Sequence, residues 1–322
     1  MSTRELWFTG PRRVELRYGG SAPLAAGQVR ARALFSGVSQ GTELLLFQGE
    51  GPTPFDPSLD AADAPTYPRR YGYAWVGEVV ESRSAALATG ARVFGLLAHG
   101  DEHTLPAQQL RVLPPSLPPQ RAVLAANLET ALNVVWDAGV ALGDEVVVLG
   151  GGVVGLLVAH AARLAGAEVR LVEPSAVRRD AAAALGLLAA APEAAGRARA
   201  DIVVEATGNP ATLDRAIELT RDEGLVVVAS FYGERIAPLR LGSAFHRRRL
   251  TLKASQVSRL PPGRAPGWTF ERRFALVARL LSDARLDALL APAVPFSDAP
   301  ALYTRLLAAP AEAVQSIFSY AD

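Results

Sequence analysis

A doubly wound α/β domain set into a mostly β domain is the fold this 322-residue sequence predicts, and three observations carry the prediction. A buried strand, Glu145-Val-Val-Val-Leu149, runs into a glycine turn and an apolar helix start, Gly150-Gly-Gly-Val-Val-Gly155-Leu-Leu-Val-Ala-His160. Strand-like segments at 146–149, 169–172, 202–205, 225–229 and 250–253 alternate with helix-like ones, the pattern of a parallel sheet with helices on both faces. Before them, residues 1 to about 115 hold short alternating strands, such as Gln28-Val-Arg-Ala-Arg-Ala-Leu-Phe35 and Ala74-Trp-Val-Gly-Glu-Val-Val-Glu81, broken by glycine and proline.

The remaining elements follow in order. Pro, Asp and Gly crowd residues 49–68, which predicts a long surface loop or a flap over a cleft. Leu113-Pro-Pro-Ser-Leu-Pro-Pro119 marks a hinge before the apolar helix expected within 122–138. An amphipathic helix at 270–281 and a last strand at 314–320 form a tail expected to return to the first domain. The domain reading is therefore 1–120 with 259–322, enclosing 121–258.

Composition bounds the function. Half the residues are hydrophobic, enough for a large core, and Lys+Arg 33 against Asp+Glu 32 leaves a net charge of +1. Nothing in that balance points to nucleic acid or an anionic membrane surface, and the expected partner is a small-molecule substrate. The uncharged run 146–162 approaches membrane-span length, but its four glycines argue for a turn over a transmembrane helix. The N-terminus lacks the basic and long apolar regions of a signal peptide, so the expected location is cytoplasmic. Cys is absent, which removes disulfides, thiolate metal ligands and thiol nucleophiles.

Gly150, Gly152 and Gly155 fit the G-x-G-x-x-G dinucleotide fingerprint. The glycines permit a tight turn and a close approach of pyrophosphate to the amides that open the next helix, at Val153 and Val154. Glu173 ends the following strand at the roughly 20-residue spacing expected for an acid on the adenosine ribose. A carboxylate there repels a 2′-phosphate and favours NAD, while Arg178 and Arg179 one helical turn on blunt that preference and leave NADP open. Beyond the carboxyl ends of later strands, Thr207, Gly208, Ser230 and Tyr232 are expected beside the cofactor.

The order of β domain, central dinucleotide unit and return segment resembles the medium-chain dehydrogenase/reductase superfamily over nearly the whole chain. Ser36-Gly-Val-Ser-Gln-Gly-Thr-Glu43 is similar to that family's S-G-V-C-x-T-D segment, Tyr71-Gly-Tyr-Ala-Trp-Val-Gly77 to its G-H-E-x-x-G segment, and Asp201-Ile-Val-Val-Glu-Ala-Thr-Gly208 to its fourth Rossmann strand. With Ala98-His-Gly-Asp-Glu-His103 downstream, the first motif looks closest to the branch containing the bacteriochlorophyllide hydroxyethyl dehydrogenases. The resemblance implies a Rossmann domain inserted in a GroES-like catalytic domain, hydride transfer with a nicotinamide cofactor, and a homodimer.

Departures from the family pattern matter equally. The zinc-ligand Cys of the zinc alcohol dehydrogenases falls on Ser39 or Gln40, and the ligand His and adjoining Glu fall on Tyr73 and Ala74. Only Glu129 sits where polyol-type members place a carboxylate near the metal, and one carboxylate does not replace the three protein ligands of a catalytic zinc. The four-Cys structural zinc lobe is missing. His99 and His103 with Asp101 and Glu102 make either a metal-like cluster or a polar turn before Leu105-Pro106, and the turn is the favoured reading. The expectation is a zinc-free enzyme.

Without zinc, hydroxyls and an imidazole are the groups left to handle the proton. Thr42 aligns with the family's relay hydroxyl, Tyr73 replaces the ligand His, Ser39 stands at the lost Cys, and His99 completes the catalytic candidates. Each has a plainer use: Thr42 as a helix cap, Tyr73 as a packed strand aromatic, His99 as a satisfied turn residue. Gln40, Trp75, Asn127 and Glu129 are the substrate-side candidates, with Asn133 and Trp136 on the same helix. The expected activity is alcohol/ketone interconversion, with secondary metabolism as its expected setting. Quinone or enoyl reduction is the enzymatic alternative, and a cofactor-binding protein without catalysis is the non-enzymatic one.

Overall fold

Val29, Ala31 and Ala33 alternate along the sequence and all three are buried, while Arg32 between them is exposed. That period-2 pattern builds the central strand of the first of two compact units, Met1–Ala126 with Ala278–Asp322 and Asn127–Val277. The computed structural model describes residues 2–50, 67–196, 199–233 and 235–321. Most of the loop expected at 49–68 lies outside the described residues.

The first unit begins with β1 (Ser2–Gly10), β2 (Arg13–Gly20), β3 (Gln28–Val38) and α1 (Thr42–Gln48). It continues with β4 (Arg69–Arg70), β5 (Trp75–Ser82), β6 (Arg92–Gly95), β7 (Glu102–Pro106), β8 (Arg111–Val112) and α2 (Pro119–Ala122). Strands β2, β1 and β4 form a small sheet in that order, and β3, β5, β6 and β8 run antiparallel in a larger one in which β7 also pairs with β3. Strand β7 replaces much of the polar turn expected around His103.

The second unit holds α3 (Ala125–Ala138), β9 (Glu145–Leu149), α4 (Val153–Leu164), β10 (Glu168–Val172), α5 (Ala176–Ala184) and β11 (Leu188–Ala190). After these come β12 (Ala200–Glu205), α6 (Leu213–Leu219), β13 (Thr220–Val228), α7 (Ala244–Arg247), β14 (Thr251–Ala254) and α8 (Phe270–Leu280). Its six strands are parallel in the order β11-β10-β9-β12-β13-β14, which confirms the doubly wound sheet. Strand β13 starts five residues before the expected 225, because Glu223 takes a positive φ of 63° and its pairing with β12 shifts register between Ala200 and Ile202.

The chain ends in β15 (Val294–Pro295), α9 (Ala299–Ala308) and β16 (Ser316–Ser319), which rejoin the first unit. Strand β16 pairs antiparallel with β3, and β15 pairs parallel with β16. Leu6, Phe8, Leu44, Phe47, Leu302, Tyr303 and Phe318 form a core between the return segment, β1 and α1. No helix among the described residues is long and apolar enough to cross a membrane.

Candidate functional site

In the second unit, the buried end of β9 delivers the chain into the glycine turn. Gly150 has φ +100°, and a Cβ there would stand 2.7 Å from the Ala206 carbonyl oxygen. A Cβ on Gly155 would meet the Gly150 oxygen at 1.9 Å, so only glycine lets α4 pack this closely on the turn. Gly152, by contrast, faces open space and caps α4 without any side-chain hydrogen bond. The first amides of that helix, at Val153 and Val154, therefore keep the arrangement that receives a pyrophosphate.

Glu173 follows β10 and is nearly sealed, at 3% exposure. Its carboxylate accepts hydrogen bonds from the Gly151 amide at 2.6 Å and the Ser175 amide at 2.8 Å, so it braces the glycine turn and the start of α5 together. Arg178 places its guanidinium 4.0 Å from Glu173, and burial lowers its pKa against the pull of that carboxylate. Arg179 turns away, donating to the backbone carbonyls of Glu173 and Pro174. Across the sheet, Gly208 has φ +72° and its amide donates to Ser230 Oγ at 2.8 Å. Tyr232 donates its hydroxyl to the fully buried Glu205, which also accepts from the Thr207 amide at 2.7 Å. Burial, then the hydrogen bond to Glu205, pushes the Tyr232 phenol upward. The open turn, the uncapped helix start and the acid at the end of β10 fit a dinucleotide.

In the first unit, α1 starts at Thr42 with Gly41 in the cap position and no cap from that residue. Ser39 supplies it: its Oγ accepts from the Thr42 amide at 3.2 Å, and its own amide donates to Glu43 Oε1 at 2.9 Å. Thr42 itself is thus not the cap. The Ser39 and Thr42 side chains stand beside the Tyr73 phenol and favour its ionised form against the burial that opposes it, so the three hydroxyls expected from the sequence lie together. Burial, with the Glu43 charge acting in the same direction, pushes the Tyr73 phenol up to about 12. At neutral pH it is a proton donor.

Behind this cluster lies a network that the sequence did not announce. Glu43 is fully buried and accepts from His99 Nε2 at 3.0 Å and from the Tyr303 hydroxyl. His99 Nδ1 lies 2.6 Å from Ser36 Oγ, which is 2.7 Å from the Tyr320 hydroxyl. An ionised carboxylate only accepts, so His99 carries a proton on Nε2. Burial raises the phenols of Tyr303 and Tyr320 as well. His99 was expected to face a cleft; at 1% exposure it is sealed between Glu43 and Ser36, which removes it as a direct donor to substrate. A signal for Glu43 did exist: an acid among Leu44-Leu-Leu-Phe47 is buried whenever that helix packs, and a buried acid needs partners. Tyr303 and Tyr320 carried none, lying 260 and 284 positions from their partners Glu43 and Ser36.

Other expectations are corrected. Trp75 is a core residue with no exposed surface, its indole donating to the Gly100 carbonyl at 3.0 Å, and not a substrate contact. Gln40 turns its amide to the Ala313 carbonyl. In α3, Glu129 accepts from the buried Arg273 Nε at 3.1 Å, and Asn133 is fully buried between Arg273, Asp137 and the Gln256 carbonyl. Asn133 therefore lines nothing open, Asn127 is buried too, and Trp136 packs on Trp268 with ring centroids 4.6 Å apart. His103 donates to the Ala98 carbonyl, and burial lowers its pKa.

At the positions of the family's zinc ligands the side chains are poor metal donors. Ser39 and Tyr73 offer hydroxyls, Ala74 is a buried methyl, and Glu129 is held by a guanidinium. Among the described residues, no group of three or more His, Asp or Glu is placed to hold a metal ion.

A family model described as zinc-binding dehydrogenase matches residues 153–267. The chain is similar to the D-guloside 3-dehydrogenase of Escherichia coli K12, at 26% identity over 93% of this chain and 95% of that one. It is 30% identical to the 2-desacetyl-2-hydroxyethyl bacteriochlorophyllide A dehydrogenase of Rhodobacter capsulatus over 72% of this chain and 74% of the relative. In fold it resembles the crystal structure of 2R,3R-butanediol dehydrogenase from Bacillus subtilis, with a TM-score of 0.81 at 21% identity over 99% of this chain and 100% of that one.

Proposed function

This chain belongs to the medium-chain dehydrogenase/reductase superfamily, among its zinc-type alcohol dehydrogenase-like members, and on that premise we propose that it interconverts an alcohol and its ketone with NAD and without a catalytic zinc. It is an NAD(P)-dependent oxidoreductase by family. The single observation that carries the zinc-free reading is that Ser39 and Tyr73 stand where zinc ligands would, with the relay hydroxyl of Thr42 beside them and the buried Glu43 behind.

When bound, the nicotinamide supplies and accepts the hydride. The chain's own residues handle the proton. Tyr73, a neutral phenol, donates to the ketone oxygen in reduction and takes the alcohol proton in oxidation, with Ser39 and Thr42 beside its hydroxyl. The acid at Glu173 supports NAD over NADP, with Arg178 beside it as a moderating charge. The substrate class we favour is a secondary alcohol on a hydroxyl-rich or macrocyclic small molecule, after the relatives' names. We further read the protein as cytoplasmic and, since β14 ends its sheet and presents Leu252 to solvent, as a homodimer.

The test is a panel of polyols, sugar derivatives and hydroxyethyl-bearing macrocycles assayed for NAD-dependent oxidation, alongside enones and quinones assayed with NADH. Alcohol oxidation is the expected result. Turnover of enones or quinones alone would replace this reading with the enoyl or quinone reductase one.

A further inference from the structure

We propose that Glu205 tilts the cofactor site of the second unit toward the oxidised nicotinamide, acting as a fixed, buried negative charge under that half of the site. The inference rests on the reading above that this unit holds a nicotinamide dinucleotide.

The placement follows from register. Glu205 ends β12 and lies level with Leu149 at the end of β9 and Val228 at the end of β13. The glycine turn begins one residue after Leu149, and Gly150 approaches Ala206 and Thr207 so closely that a Cβ would stand within 2.9 Å of the Thr207 Cα. Glu173 lies on the opposite side of β9, after β10. A dinucleotide with its pyrophosphate on α4 and its adenosine ribose at Glu173 must extend its other half over the ends of β12 and β13. Glu205 and Tyr232 belong to that half.

The chemistry of Glu205 is unusual among the buried acids of this chain. Glu43 faces an imidazole and Glu173 a guanidinium, whereas Glu205 has no ion pair among the described residues. Its neighbours are dipoles: the Thr207 amide, and the hydroxyls of Thr207, Thr212 and Tyr232. Arg235 donates to the Tyr232 backbone carbonyl instead. Three or four donors aimed at a side chain with no exposed surface suit an ionised carboxylate. Dipoles hold the charge without cancelling it, and a low-dielectric setting carries its field further than water would. The oxidised nicotinamide ring bears a positive charge and the reduced ring bears none. Glu205 therefore discriminates between them by charge, and Tyr232 moderates that field through its hydrogen bond.

Dissociation constants for NAD⁺ and NADH, measured by fluorescence titration on wild type, Glu205→Gln and Glu205→Asp, test this without relying on turnover. Glu205→Gln should weaken NAD⁺ relative to NADH by about tenfold. Glu205→Asp, which keeps the charge, should hold the ratio within about twofold even if both constants rise. A ratio unmoved in Glu205→Gln, or moved equally in Glu205→Asp, would overturn the proposal in favour of a bracing role alone. Should Glu205→Gln not fold, Tyr232→Phe leaves the carboxylate less screened and should move the ratio toward NAD⁺; movement toward NADH, or none, overturns the proposal. Wild type that binds neither form would instead overturn the functional reading on which this one rests.

Discussion

His99 Nε2 lies 3.0 Å from Glu43 Oε2 with neither side chain reaching solvent, so the histidine works on the carboxylate and not on a substrate. Replacing it with Phe keeps a ring but leaves Glu43 with only the Tyr303 hydroxyl and the Ser39 amide. Breaking a buried pair by removing one partner costs about 3–5 kcal/mol. Urea unfolding of His99→Phe should show a loss of that order, and a loss under about 1 kcal/mol would mean that Glu43 does not depend on the imidazole.

Tyr73→Phe removes one hydroxyl and keeps the ring. Loss of a donor aimed at developing charge costs about 2.7–4 kcal/mol of barrier, so turnover should fall roughly 10²- to 10³-fold with cofactor affinity little changed. Steady-state kinetics within a factor of a few of wild type would move the proton to Thr42, Ser39 or water.

Alkaline pH should destabilise the fold in a defined window. Burial raises Tyr73 from 10.0 to about 12, and Tyr232, Tyr303 and Tyr320 are raised as well. Below pH 10 the phenols are protonated in both folded and unfolded chains, and the stability is complete. Above it the unfolded chain loses protons first, so unfolding is favoured progressively until the folded phenols also titrate. Urea midpoints should therefore drop from pH 10 upward, and Tyr73→Phe should drop less steeply between pH 10 and 12. A slope unchanged in the variant would contradict the burial argument.

Glu173→Ala should weaken NAD and improve NADP relative to NAD, because it removes the repulsion of a 2′-phosphate and leaves Arg178 unopposed. One charge-assisted hydrogen bond is worth about 1.5–3 kcal/mol, which sets the size of the change. Since the carboxylate also holds the Gly151 amide, the variant should bind both cofactors less tightly than the ribose contact alone predicts. Identical titrations of variant and wild type would separate Glu173 from the ribose.

What could be read from the sequence was mostly local. The turn at Gly150, Gly152 and Gly155 and the parallel strands around it rest on spacings of a few residues, and so did the placing of Ser39, Thr42 and Tyr73. The short strand β11 was hidden in an Ala-rich stretch without a distinctive pattern, and α1, only seven residues long, showed itself only through Thr42 read as its cap. The network behind the hydroxyls was out of reach for another reason. Glu43 meets His99 and Tyr303, and His99 meets Ser36, only after β3, α1, α9 and β16 have packed, and no periodicity encodes such distant pairings. Trp75 misled because an aromatic beside a motif looks the same whether it lines a cleft or fills a core.

On this reading the proton chemistry runs on hydroxyls at the family's zinc-ligand positions. Elemental analysis of the protein after dialysis against a chelator, with NAD-dependent turnover measured on the same sample, tests it most directly. Far less than one zinc per chain, with turnover retained, is the expected result. About one zinc per chain that leaves together with turnover, and restores it on re-addition, would contradict it.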